Sequence, residues 1–126
     1  MTHRLLFIVN SSSYLLSHRK EVALGAKAKG FEIHVASPND EGSVEINNLG
    51  FNHHEIPISR TSTNLISEIR LIIKIFIIMN KLKPKISHFI TIKPVIYGCL
   101  ISQIISPNGV VASIPGLGFT YIAKGL

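Results

Sequence analysis

The chain has little sulfur to work with: one cysteine, Cys99, and two methionines in 126 residues. A lone cysteine excludes an internal disulfide and fits a reducing compartment, where Cys99 serves as a small apolar side chain. Tryptophan is absent. No interleaved aromatic and basic patch or reader motif takes its place, so no nucleic acid partner is expected. Metal-ligand spacing is missing too, and no metal is expected. The six histidines include one adjacent pair, His53 and His54, and neighbours on a strand point to opposite faces. The turn after the first strand, "NSSSYLLSHR", carries no G-x-G-x-x-G, which argues against a dinucleotide fingerprint. Neither a Walker loop nor a G-x-S-x-G elbow occurs.

Long apolar runs are scarce. Leu5 to Val9 is too short for a signal-peptide core, and polar Asn10 to Ser13 end it. The N-S-S triplet at Asn10 formally matches a glycosylation acceptor, but a cytoplasmic chain never meets that machinery. Acidic residues nearly vanish from the second half. Residues 60–126 hold eight Lys/Arg against Glu68 alone, net +7; residues 1–59 hold five against six, net −1. A basic, aliphatic half points to anionic lipid or a phosphate-bearing ligand.

What is present alternates strand and helix in a single domain. Arg4 to Val9 reads as a strand buried on both faces. After a loop from Asn10 to Leu16, Ser17 is the expected N-cap of a helix that Gly30 ends. Phe31 to Ala36 is the next strand, completing a βαβ unit. A turn-rich stretch follows from Ser37 to Glu45, then a short helix from Ile46 to Gly50 and a strand in "NHHEIPI". Ser62 or Thr63 opens a long helix to Leu82, stopped by Pro84. Ile86 to Ile90 and Val110 to Ile114 are strands, with a helix from Pro94 to Ser106 between them. "PGLGFTY" is a glycine loop after the last strand. The fold class is therefore α/β, a doubly wound, mostly parallel sheet of about five strands.

On the long helix, Ser67, Arg70, Lys74 and Lys81 fall within about 60° of one another. Nearly everything else there is Ile, Leu, Phe or Met. The stripe is either the solvated edge of a packed helix or the cationic rim of a helix lying on a bilayer, with Arg70, Lys74 and Lys81 facing lipid phosphates. A span is excluded, because about 15 apolar residues interrupted by charge fall short of the roughly 20 required.

Ligands of an open parallel sheet sit beyond the C-terminal ends of its strands. Three loops occupy such places: Asn10 to His18, Thr91 to Pro94, and Pro115 to Tyr121. They carry Asn10, Ser11, Ser17, His18, Thr91 and Lys93, and the run Gly116, Leu117 and Gly118, whose glycines let backbone N–H groups approach an anion.

The segments "VNSSSYLLSHRKEVALGAKAKGFEIHVA", "GFNHHEIPISRTSTN", "HFITIKPVIYGCL" and "VVASIPGLGFTY" occur in that order. Together they resemble the N-terminal domain of family 4 glycosyltransferases of bacterial surface polysaccharide assembly, over almost the whole chain. "LSHR", "TIKP-x-x-YG" and "GLGF" are the most specific pieces. The resemblance implies a Rossmann-like half of a GT-B fold, whose intact form transfers a hexose or N-acetylhexosamine from a nucleotide-sugar to an undecaprenyl-diphosphate-linked glycan. It implies that Ser17, His18 and Gly116 to Gly118 border the acceptor cleft, with Thr91 and Lys93 at its edge. It also implies no obligatory cofactor, while the net +7 half and the stripe of Arg70, Lys74 and Lys81 lead to the expectation of a peripheral place on the inner face of the cytoplasmic membrane. Ile90 and Pro115 stand where relatives often carry histidine, or at the second position histidine or threonine. The family's paired acidic residues belong to a C-terminal donor domain, so the expectation here is an N-terminal, acceptor-side piece from a truncated frame or a two-polypeptide enzyme. A non-catalytic lipid- or glycan-binding module is the alternative.

Overall fold

The computed structural model describes residues 3–58, 64–105 and 109–114 and the backbone of 119–124. In chain order its elements are β1 (Arg4–Ile8), α1 (Ser12–His18), α2 (Lys20–Ala28), β2 (Glu32–Ser37), α3 (Ser43–Asn48) and β3 (Asn52–Glu55). Then come α4 (Leu65–Leu82), β4 (Ile86–Ile90), α5 (Ile92–Ser102), β5 (Gly109–Ile114) and β6 (Phe119–Lys124). The strands form one sheet in the order β3-β2-β1-β4-β5-β6. The first five pair parallel, and β6 pairs antiparallel with β5.

The apolar run at β1 is explained by its central place. Leu6 and Ile8 pack with α4 and α5, while Leu5, Phe7 and Val9 pack with the layer of α1, α2 and α3. Water reaches neither face, so alternation would only bury polar groups. Each such side chain contributes on the order of 1.5–3 kcal/mol. In α4 the buried residues Leu71, Ile75, Ile78, Met79 and Leu82 recur at helical spacing. Asn64 caps this helix, its side chain accepting from the Ile66 amide at 2.8 Å. At the other end Lys83 turns left-handed, at φ 46°, just before Pro84.

Four expectations are corrected. Residues read as a loop before Ser17 are helical: Ser11 caps α1, its Oγ accepting from the Tyr14 amide at 3.2 Å. A cap needs only a short acceptor at the first turn, and Ser11 supplies it, leaving Ser17 in the last turn of α1 and a break at Arg19 (φ −128°) before α2. Asn64 takes the capping place expected of Ser62 or Thr63, both of which lie outside the described residues. Helix α5 starts before Pro94, in a first turn where a missing N–H costs nothing. Finally, Phe119 to Tyr121 belong not to a glycine loop but to β6, a sixth strand built from the β-branched and aromatic run "FTYI".

Candidate functional site

Successive strands run outward from β1 in one direction through β2 and β3, and in the other through β4 and β5. The reversal falls between β1 and β4, the place where an open parallel sheet leaves a crevice. The chain segments leaving it are Asn10–Ser11, leading into α1, and Thr91, leading into α5. Two of the three sequence-predicted loops thus meet there. Gly116, Leu117 and Gly118 lie outside the described residues; the strands flanking them, β5 and β6, form an antiparallel pair.

The turn into α1 is held from behind. Asp40 accepts the Ser12 amide at 2.9 Å through Oδ2 and the Gly42 amide at 3.1 Å through Oδ1. Beneath it the buried Ser12 hydroxyl meets Ser37 Oγ at 2.5 Å, and Ser37 meets His53 Nε2 at 2.8 Å. Gly42 lies so close that a Cβ there would sit 2.8 Å from the Ser13 nitrogen. Sequence reasoning missed Asp40, Ser12, Ser37 and His53. The parallel register, which sets Val35 beside His53 and Ser37 beside Glu55, is what joins them. A carboxylate already engages the first amide of α1, so the positive end of that helix is partly neutralised toward any ligand anion.

His18 is exposed at the end of α1, its ring stacked on Tyr14 with centroids 4.1 Å apart. Its Nδ1 lies 3.2 Å from the Tyr14 carbonyl. A carbonyl can only accept, so Nδ1 carries the proton and the neutral ring keeps an accepting lone pair on Nε2. Ser17 is exposed beside it.

Helix α5 opens differently. Its cap, Thr91, has φ 77° and ψ 172°, and no side-chain bond caps the helix. The Thr91 amide donates to the Ser113 carbonyl at 2.9 Å, but its buried Oγ1 has no hydrogen-bond partner among the described residues. A β-branched residue held at positive φ stores roughly 1–3 kcal/mol. Thr91→Gly is therefore expected to raise the unfolding free energy by about 1 kcal/mol, read as a higher urea midpoint. A lower midpoint would show that packing of the threonine methyl outweighs the strain.

Lys93 extends toward α4, where its Nζ meets Glu68 Oε1 at 2.5 Å; Tyr97 donates to the other Glu68 oxygen at 3.0 Å. The hydrogen bond from Lys93 holds the Glu68 carboxyl below its ordinary range, with Tyr97 adding to it. Arg70, Lys74 and Lys81 are exposed along α4. Between that stripe and α5 the outward surface is apolar: Ile66, Ile69, Ile73 and Ile77 on α4, then Ile92, Ile96 and Leu100 on α5, are all exposed. Sequence periodicity alone left this face undecided.

The predicted separation of His53 and His54 is observed. His53 turns to Ser37, whereas His54 Nε2 lies 2.9 Å from His34 Nδ1 on the other face. His34 in turn donates to Glu32, which Arg4 also holds at 3.0 Å. Among the described residues, no three His, Cys, Asp or Glu side chains gather into a group able to hold a metal ion. No described helix is long and apolar enough to cross a membrane.

Residues 4–125 match the model of a family described as glycosyl transferase 4-like. No curated protein sequence matches the chain. Among solved structures it is similar to a glycosyltransferase from Rickettsia africae at 18% identity and TM-score 0.68, over 89% of this chain and 28% of that one. It is also similar to MurG from Acinetobacter baumannii, at 11% identity and TM-score 0.65, over 87% and 34%. For the Streptomyces glycosyltransferase SsfS6 the values are 14% and 0.62, over 88% and 39%. The chain thus spans only 28–39% of the length of these structures. At such identity the likeness concerns the fold.

Proposed function

Because the chain belongs to the glycosyl transferase 4-like family, we propose that it forms the acceptor side of an enzyme that moves a sugar from a nucleotide-sugar to a lipid-linked glycan. The sugar would be a hexose or N-acetylhexosamine, and the acceptor undecaprenyl-diphosphate-linked. The observation that carries this reading is the switch-point crevice between β1 and β4, bordered by the caps of α1 and α5. In the transfer, the bond from the anomeric carbon to the donor diphosphate breaks and the acceptor hydroxyl oxygen takes its place on that carbon. The hydroxyl proton must leave, and the departing diphosphate carries the electron pair.

On this side of the cleft, His18 Nε2 would accept a hydrogen bond from a sugar hydroxyl, with Asn10, Ser11 and Ser17 as polar neighbours. The Ser11 oxygen accepts the Tyr14 amide, which leaves its own proton to donate. The less encumbered amino end of α5 would face acceptor phosphate, with Thr91 at its edge. Lys93, whose Nζ meets Glu68, is proposed to lie beside the same phosphate. Gly116, Leu117 and Gly118 are proposed as the third border.

The outward apolar face of α4 and α5, edged by Arg70, Lys74 and Lys81, supports peripheral attachment to the inner face of the cytoplasmic membrane. There it would meet a lipid-linked acceptor by diffusion in two dimensions. Donor binding is proposed to come from a further domain, on the same or a second polypeptide.

The test offers residues 1–126 a panel of nucleotide-sugars and undecaprenyl-diphosphate-linked acceptors, with and without a candidate donor domain in trans. Binding of the acceptor by these residues alone, weakened at least fivefold in His18→Ala, and turnover only on mixing are expected. Tight nucleotide-sugar binding without the second component would overturn the acceptor-side assignment. Acceptor binding with no turnover on mixing would favour a non-catalytic glycan- or lipid-binding module.

A further inference from the structure

Where the chain leaves β3 and meets α4, a surface cavity of about 350 Å³ is lined by Glu55, Pro57, Arg70, Ile73, Lys74 and Ile77. Its chemistry is divided. Pro57, Ile73 and Ile77 make an apolar wall, while Arg70 and Lys74 stand one helical turn apart on the same side of α4. Like charges four residues apart repel by a few tenths of a kcal/mol on a helix. Neither cation has a carboxylate within ion-pair distance among the described residues. Glu55 reaches the cavity without pairing with either.

Among the described residues, two cations and one carboxylate line the cavity and sum to a single positive charge. That balance matches a monoanion better than a phosphate dianion or a polyphosphate. The guanidinium fork of Arg70 suits two phosphate oxygens, with Lys74 as a point charge beside it. Glu55 can only accept, so it suits a ligand that brings hydroxyl protons. The apolar wall suits the first methylenes of a chain.

We infer that this cavity binds the head of a monoanionic glycerophospholipid whose phosphodiester carries a hydroxylated alcohol. Arg70 and Lys74 hold the phosphate, Glu55 the hydroxyls, and Ile73 with Ile77 the start of the acyl chain. The inference deepens the peripheral-membrane reading and rests on it for the source of the lipid. It turns a diffuse cationic stripe into one stoichiometric site, with Lys81, two turns beyond Lys74, outside it.

The probe is dihexanoyl phosphatidylglycerol below its micelle concentration, titrated into the chain and followed by amide NMR shifts. Saturable one-to-one binding is expected, at least tenfold tighter than for inorganic phosphate or dihexanoyl phosphatidylcholine. Arg70→Gln and Lys74→Gln should each weaken it at least fivefold, and Lys81→Gln should leave it within twofold. Ile73→Trp fills the cavity without changing charge and should abolish binding. All four side chains are exposed, so unchanged thermal midpoints separate these effects from unfolding. Equal losses in Lys81→Gln and Arg70→Gln, or unaltered binding in Ile73→Trp, would overturn the site.

Flotation on phosphatidylglycerol vesicles keeps the two readings apart. Flotation without saturable binding of the monomeric lipid refutes the cavity and leaves membrane attachment standing. Saturable binding without flotation supports the cavity and refutes attachment.

Discussion

Gly98→Val is expected to leave the chain largely unfolded at 37 °C. Gly98 lies in α5 directly over the Phe89 ring of β4, and a Cβ added there would meet that ring at 2.5 Å. Phe89 is wholly buried in the core between the sheet and helices α4 and α5, so the ring has nowhere to turn. Overpacking of this kind costs about 3 kcal/mol or more, a large part of the stability of a small domain. Even Gly98→Ala, which gains about 1 kcal/mol of helix propensity, should lower the thermal midpoint by several degrees. The double variant Gly98→Ala with Phe89→Leu should recover part of that loss, because the smaller side chain vacates the clash. Circular dichroism melts decide it: a Gly98→Val midpoint within two or three degrees of the parent would refute the contact.

Acid is the second large effect. Burial pushes the His88 imidazole down to about 4, and Arg19 nearby adds to the shift. His54 is also lowered to about 4, by burial first and then by His34, His53, Lys81 and Lys74. Both are depressed, so an unfolded chain takes up protons near the ordinary histidine value of 6.5 that the folded chain refuses. Stability is therefore complete above about pH 6.5, falls as pH drops, and loses its histidine component by about 4. For His88 the penalty approaches about 3 kcal/mol. Half-buried His54 is screened by water and costs less.

Two carboxylates add to the fall at lower pH. His34 and then Arg4 hold Glu32 down by hydrogen bonding, and Lys93 does the same for Glu68, so both lose partners' stabilisation as they protonate. Urea melts at pH 7.5 and pH 4.5 measure the difference. His88→Gln, which can keep a bond to Ser113 Oγ, now 2.9 Å from His88 Nε2, should remove a substantial part of it. A midpoint that does not move between these pH values would exclude the burial of both imidazoles.

The sequence determines by itself whatever depends on neighbours within a turn or a strand. The apolar run at β1 announces a strand covered on both faces, and Pro84 ends α4. The cationic stripe of Arg70, Lys74 and Lys81 is equally legible, because helix geometry alone places those positions together. The opposite directions of His53 and His54 follow in the same way from the pleat of one strand.

Only the tertiary structure decides what depends on which distant segments become neighbours. Asp40 reaches the Ser12 amide, and Ser37 links Ser12 to His53, only because β1, β2 and β3 lie side by side in register. Ser11 rather than Ser17 starts the first helix because every serine of that run is a competent cap and packing chooses among them. Residues 119–124 become a strand because β5 offers an open edge to pair with. Lys93 leans on Glu68, and the isoleucines of α4 and α5 share one outward face, because the two helices pack side by side. Local preference selects helix or strand over a few residues, but a contact between residues far apart in the chain has no local signal; it exists once the sheet order exists.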